Sequence, residues 1–235
     1  LQNGSGQAAA LIPAMHIQKN GQKSASIQII SETDSWWVEY PADQFSACEN
    51  RFFVRIGEST FSEQGIRISV QKDGISLRGS VSFGPTLPIR YDIMGPFRWL
   101  PNMECSHSVI SMSHRLDGCL ILNGEKLDCS GGLGYIESDR GRSFPEIYLW
   151  TQCCWENSSI MLSIASIPAL RIQFTGCICA IVHEGKEYRI ATYKGARVVQ
   201  WSKDYALVQQ GKYRLEVQLL KQTAQPLRAP ADGDM

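Results

Sequence analysis

The segment Ile66-Arg-Ile-Ser-Val-Gln-Lys-Asp-Gly-Ile-Ser-Leu-Arg78 decides the fold class. Ile66, Ile68 and Val70 alternate with polar residues before Asp73-Gly74, and Ile75 and Leu77 alternate with polar residues after it. Side chains on a strand point to opposite faces in turn, so this is the period of two half-buried strands. An Asp-Gly pair between them supplies the positive-φ residues of a tight hairpin turn. The same punctuation recurs at Asn20-Gly21, Asp117-Gly118, Asn123-Gly124 and Glu184-Gly185, beside short runs rich in Ile, Val, Leu, Tyr and Trp. A helix needs longer uninterrupted periodicity than any of these intervals allows.

The second half continues the pattern. A meander is expected through 108–115, 119–122 and 125–129, with further strands at 147–155, 161–167, 171–182, 187–193, 197–201 and 212–221. Only 102–105 and 204–209 read as irregular or helical. The chain is therefore expected to be all-β. At about ten residues per strand and turn, 235 residues give on the order of twenty strands, more than the eight or so that close one small barrel. Two antiparallel β-barrels or barrel-like sheets fit better. The stretch Gly95-Pro-Phe-Arg-Trp-Leu-Pro101 breaks regular structure with one glycine and two prolines, which predicts a boundary between residues 1–101 and 102–235.

Composition narrows function. The 23 basic and 23 acidic side chains cancel, so the chain lacks the basic footprint that neutralises nucleic-acid phosphates. No apolar run reaches the roughly 20 residues of a membrane-spanning helix, which leaves only peripheral contact with a membrane. Eight cysteines are too few for a disulfide scaffold, favouring a reduced, cytoplasmic setting. The start at Leu1 reads as a fragment and leaves export open. No Cys-x-x-Cys pair occurs, and no histidine stands at finger-like spacing from a cysteine, so neither a metal nor a cofactor is expected.

The densest polar and aromatic block is Gly131-Gly-Leu-Gly-Tyr-Ile-Glu-Ser-Asp-Arg-Gly-Arg-Ser-Phe-Pro145. If it is extended, Tyr135, Glu137 and Asp139 share one face, with Arg140 and Arg142 close enough to pair with them. Adjacent carboxylates repel, and one that keeps its proton can act as a general acid; a surface salt-bridge cluster is the plainer alternative. The glycines lack the Lys-Ser/Thr of a phosphate loop and are expected instead to relieve crowding at a turn or bulge. Cys105 and His107 would point the same way on a strand, but alternate residues lie about 7 Å apart, too far for direct proton transfer. No Gly-x-Ser-x-Gly elbow is present. Trp36, Trp37, Phe52, Phe53, Trp99, Trp150 and Trp155 suit either core packing or a pocket for an apolar ligand.

In order along the chain, Leu11-Ile-Pro13, Gln28, Ile56-Gly57 with Phe61, the run from Gly95 to His107, the block from Gly132 to Pro145, Trp150-x-Gln152, Ala191-Thr-Tyr193 and Leu227-Arg-Ala-Pro230 resemble the tocopherol cyclase-like family. The likeness spans essentially the whole chain. It departs at Ser138 and Arg140, where the family usually has Lys and Trp, and at Cys154, where it has Asn. The resemblance implies two lipocalin-like, calycin-type barrels. It also implies either closure of a chromanol ring on a prenylated hydroquinone or simple carriage of a small hydrophobic ligand. The family reaction uses no redox cofactor or metal. By this resemblance Asp139 and Glu137 are the candidate acids and His107 a proton relay. Tyr135, Trp150, Gln152, Trp99 and Phe144 are the ligand-lining residues.

Overall fold

The computed structural model describes residues 1–72, 74–99, 105–169, 172–221 and 225. Among them the chain is all-β, with antiparallel pairing in every sheet and only short 3-10 turns between strands. No helix among the described residues is long and apolar enough to cross a membrane. The chain divides into two compact units: residues 1–86 with 114–134 and 223–235, and residues 87–113 with 135–222. It thus crosses between units four times, whereas a single cut near residue 102 was expected. That position lies outside the described residues, as do Asp73 and the Leu227–Pro230 motif.

In the first unit, β1 (Ala10–Ile17), β2 (Lys23–Ile30) and β3 (Ser35–Pro41) form one antiparallel sheet. A second sheet runs from β4 (Phe45–Ala47) through β5 (Phe53–Ile56), β6 (Ser59–Ser62), β7 (Gly65–Lys72) and β8 (Ile75–Phe83) to β9 (Cys105–Leu122) and β10 (Glu125–Asp128). The alternation that announced β7 and β8 is what packs them. Ile68, Val70, Ile75 and Leu77 are buried in one core with Ile27, Ile29 and Val38 of the other sheet, while Arg67, Ser69 and Arg78 face outward. Each such aliphatic side chain contributes about 1.5–3 kcal/mol by leaving water.

The hairpin turns at 123–124 and 184–185 form as expected. Leu122 pairs Glu125 across Asn123 (φ 49°) and Gly124 (φ 92°), and His183 pairs Lys186 across Glu184 (φ 49°) and Gly185 (φ 75°). Positive φ at both central residues makes these type I′ turns, whose twist matches the strands they join. Asp117-Gly118 is different. There the meander was expected to turn, but β9 runs straight through as one strand of 18 residues. Gly118 (φ 126°) pairs Val81, and a Cβ on it would fall 2.3 Å from the Ser80 carbonyl oxygen, so glycine serves close backbone approach rather than reversal. The stretch at 204–209 also departs from expectation: it is a strand, β17 (Tyr205–Gln210), because Ala206 and Val208 alternate into a core.

The second unit holds β12 (Tyr148–Trp155), β13 (Ser158–Ala169), β14 (Ile172–His183) and β15 (Lys186–Ala191) in one sheet. Strands β16 (Arg197–Trp201), β17 and β18 (Tyr213–Gln218) form another. The four-stranded sheet is buried on both faces. Leu162, Ile164 and Cys179 pack with Ala206 and Val208, while Met161, Ile178 and Ala180 pack with Ile93, Met94, Val109 and Met112. Residues 87–99 carry no strand and are tied down by Arg189. Its guanidinium donates to the Asp92 carbonyl (3.1 Å), the Tyr91 carbonyl (3.1 Å) and Glu187 (2.8 Å). A buried ion pair that also satisfies loop carbonyls substitutes for the hydrogen bonds a strand would give.

The strand β11 (Leu133–Gly141) pairs β9. Leu116 exchanges backbone hydrogen bonds with Gly131 and Gly132, which sets the register. The close approach foreseen for the glycine run is real: a Cβ on Gly132 would fall 2.3 Å from the Gln2 carbonyl oxygen, and one on Gly134 would fall 2.2 Å from His114 Nε2. His114 is 3% exposed, packs its ring 4.4 Å from that of Phe83, and is pushed down to about 4 chiefly by burial.

Two outcomes follow from this packing. Gly79 (φ 142°) would place a Cβ 2.3 Å from the Cys119 carbonyl oxygen. Gly79→Ala is therefore expected to lower unfolding free energy by about 1–3 kcal/mol, read from the shift of the urea midpoint. Between pH 6.5 and 4 the unfolded chain protonates His114 while the folded chain resists, so stability falls as the pH drops through this window. Urea titrations across the range should show a shallower fall in His114→Gln than in the wild type.

Candidate functional site

The candidate site lies wholly within the second unit, where residues 105–113 of β9 run beside residues 135–141 of β11. Alternation places Cys105, His107 and Val109 on one side of β9, and Tyr135, Glu137 and Asp139 on one side of β11. Antiparallel register brings those sides together. His107 Nδ1 lies 2.5 Å from Asp139 Oδ1, and its Nε2 lies 3.2 Å from Glu137 Oε2. The second contact is an ion pair without hydrogen-bond alignment. The Tyr135 hydroxyl donates to the same Glu137 oxygen at 2.7 Å. The result is a chain of four groups: Tyr135, Glu137, His107 and Asp139.

The expected shared face of Tyr135, Glu137 and Asp139 is thus present, and His107 joins it. Arg140 and Arg142, expected to pair with the acids, are exposed and make no ion pair among the described residues. The cation between the carboxylates is the imidazole. Burial opposes charge on His107 and is the largest influence on it, but Asp139, hydrogen-bonded to the ring, and then the adjacent Glu137 carboxylate together outweigh it, and the ring is pushed up to about 9. At neutral pH the ring is therefore an imidazolium that offsets the repulsion of its two neighbours.

Cys105 turns its thiol toward Asp139, with Sγ 3.9 Å from Oδ1. Burial first, then the Asp139 charge, push that thiol up to about 12. A protonated thiol beside a carboxylate is a poor nucleophile, and both nitrogens of His107 face carboxylates, so the pair does not form a thiol-hydrolase dyad. Burial first, then the charge of Glu137, also hold the Tyr135 hydroxyl in its neutral form well above its ordinary range.

The ring-bearing residues divide. Tyr135 and Trp150 of β12 stand with ring centroids 6.4 Å apart. Phe144 stacks on Tyr148 at 6.1 Å with planes 28° apart. Tyr148 feels Asp139: its hydroxyl is pushed up by burial first and then by that charge. Tyr148 was missed from sequence, although it alternates with Trp150 and Gln152 on the expected strand and so shares their face. Gln152 donates to Cys154 Sγ at 3.0 Å rather than to the acids. Trp99 is 78% exposed at the end of the 3-10 turn Gly95–Trp99, beneath the Arg98 guanidinium at 4.9 Å, and no contact joins it to His107 among the described residues.

The site is not sealed. The side chains of Glu137 and Asp139 are 24% and 29% exposed, against 11% for His107. An open depression of about 500 Å³ in the same unit, lined by Tyr188, Arg189, Tyr213 and Arg214 among others, does not include these residues. For a metal, His107, Glu137 and Asp139 form the one cluster of donor groups among the described residues, with ligand atoms all within 4.8 Å of one another.

Comparison of the chain with protein-family models, with curated proteins and with solved structures finds no match.

Removing the imidazole leaves two carboxylates facing each other. His107→Ala is expected to cost about 1–2 kcal/mol of stability at pH 7, less than a fully buried pair because both acids reach solvent. Paired urea curves of wild type, His107→Ala and His107→Gln would measure this, with the Gln variant losing less because it keeps a donor.

Proposed function

We propose that the protein binds a small prenylated aromatic ligand against Tyr135, Tyr148 and Trp150, and closes a ring on it by acid catalysis in the manner of the tocopherol cyclase-like family it resembles. The observation that carries this reading is the convergence of Asp139, His107 and Glu137 through 2.5 and 3.2 Å contacts beside a pair of aromatic rings. In the proposed step the His107 imidazolium passes its Nδ1 proton to Asp139, and the carboxylic acid so formed protonates the prenyl double bond. The resulting tertiary cation is tolerated by the π faces of Tyr135 and Trp150. The neighbouring phenol oxygen attacks it, and the phenol proton passes to Glu137. One C–O bond and one C–H bond form as one O–H bond and one C=C π bond are lost, so no redox partner is consumed. Holding phenol and alkene together supplies much of the barrier reduction.

A second reading, carriage of such a ligand without turnover, is favoured by the partial exposure of both acids, because water reaching the site would compete with the phenol for the cation. Incubation with a prenylated hydroquinone separates the two. The cyclase reading expects a product of unchanged mass with one phenol fewer, and its loss by at least 100-fold in Asp139→Asn. Ligand binding by wild type and variant alike, with no product from either, supports the carrier.

A further inference from the structure

The two nitrogens of His107 are not equivalently held. Nδ1 meets Asp139 Oδ1 at 2.5 Å, the arrangement by which an outer carboxylate fixes the tautomer and orientation of a metal-ligating histidine. No ion fits between atoms so close. Nε2 is different: it is buried in a residue only 8% exposed, has no aligned hydrogen-bond partner, and lies 3.2 Å from Glu137 Oε2. Two ligand atoms, each about 2.0–2.1 Å from a tetrahedral ion, stand roughly 3.3 Å apart, so Nε2 and Oε2 already have the separation of a ligand pair. The Tyr135 hydroxyl, 2.7 Å from that same oxygen, adds a second oxygen beside it. The exposed fractions of Glu137 and Asp139 give an ion a way in from solvent.

We propose that a divalent first-row transition ion of the zinc class displaces the proton of His107 Nε2 to solvent and binds there together with Glu137, with Asp139 holding the Nδ1–H side of the imidazole. One imidazole and one carboxylate, with water completing the shell, suit zinc or copper better than magnesium or calcium, which take oxygen donors. The inference stands apart from the proposed cyclisation. An ion on Nε2 occupies the position through which the proton relay would pass, so bound metal would block that reaction rather than promote it.

The test uses the full chain, stripped with EDTA, dialysed and titrated with Zn²⁺ against a chromogenic chelator. Co²⁺ serves as a spectroscopic surrogate. One equivalent of zinc is expected. His107→Ala and Glu137→Gln should each weaken binding at least 100-fold, and Asp139→Asn about 10- to 100-fold. The protein carries free cysteines that also attract zinc, so the Co²⁺ spectrum distinguishes the sources: tetrahedral visible bands without a thiolate charge-transfer band support the site. Uptake that persists in both His107→Ala and Glu137→Gln, a thiolate band, or no uptake at micromolar zinc would each overturn it. If His107→Ala does not fold, Glu137→Gln alone decides. Turnover of a prenylated hydroquinone by the chelator-treated protein reports on the cyclase reading separately.

Discussion

Backbone pairing along the 18 residues of β9 is the constraint on which the remaining architecture rests. Every amide and carbonyl of a buried strand must find a partner, and β9 finds them on both sides, with β8 on one and β10 and β11 on the other. That requirement explains why Asp117-Gly118 does not turn. A reversal there would strand the partners of β8 from Leu77 to Phe83, whose pairs run without a break from Leu122 to Leu116. The glycines at 79 and 118 are the accommodation: each sits where a neighbouring strand's carbonyl leaves no room for a Cβ.

The same strand carries both of the buried histidines with strongly shifted proton affinity, and their environments push them in opposite directions. His114 packs against Phe83 and above Gly134, and stays neutral because burial dominates. His107 lies seven residues earlier and is nearly as buried, yet two carboxylates reverse the balance and it holds its charge. Burial sets the cost of an ion, and the neighbouring groups decide whether that cost is met.

Chemistry in the site comes from β11 as much as from β9. Tyr135, Glu137 and Asp139 present a hydroxyl and two acids at alternate positions, and the ring of His107 closes them into a linked array. The proposed reaction would move a proton along this array and the proposed metal site would hold an ion at Nε2, and both proposals draw on the fixed orientation that Asp139 gives the ring. The aromatic residues of β12 give this polar line an apolar flank, through Trp150 beside Tyr135 and through Tyr148, which feels the charge of Asp139.

Local pattern settled the strand class, the turns at Asn123-Gly124 and Glu184-Gly185, and the common face of Tyr135, Glu137 and Asp139. Each depends only on residues a few positions apart, where a two-residue period or a positive-φ pair is decisive. The segment at 204–209 was misread because two small apolar residues, Ala206 and Val208, carry a weak signal until a core forms around them. The partner of the acids was beyond reach for another reason. His107 stands about thirty positions from Asp139, and the nearer arginines at 140 and 142 were the obvious choice by spacing; only the register between β9 and β11 put the imidazole there. The sequence by itself determined which residues alternate, because that is a property of the extended backbone. Which faces meet was decided by the tertiary structure, since pairing between distant strands depends on all their hydrogen bonds and buried side chains together.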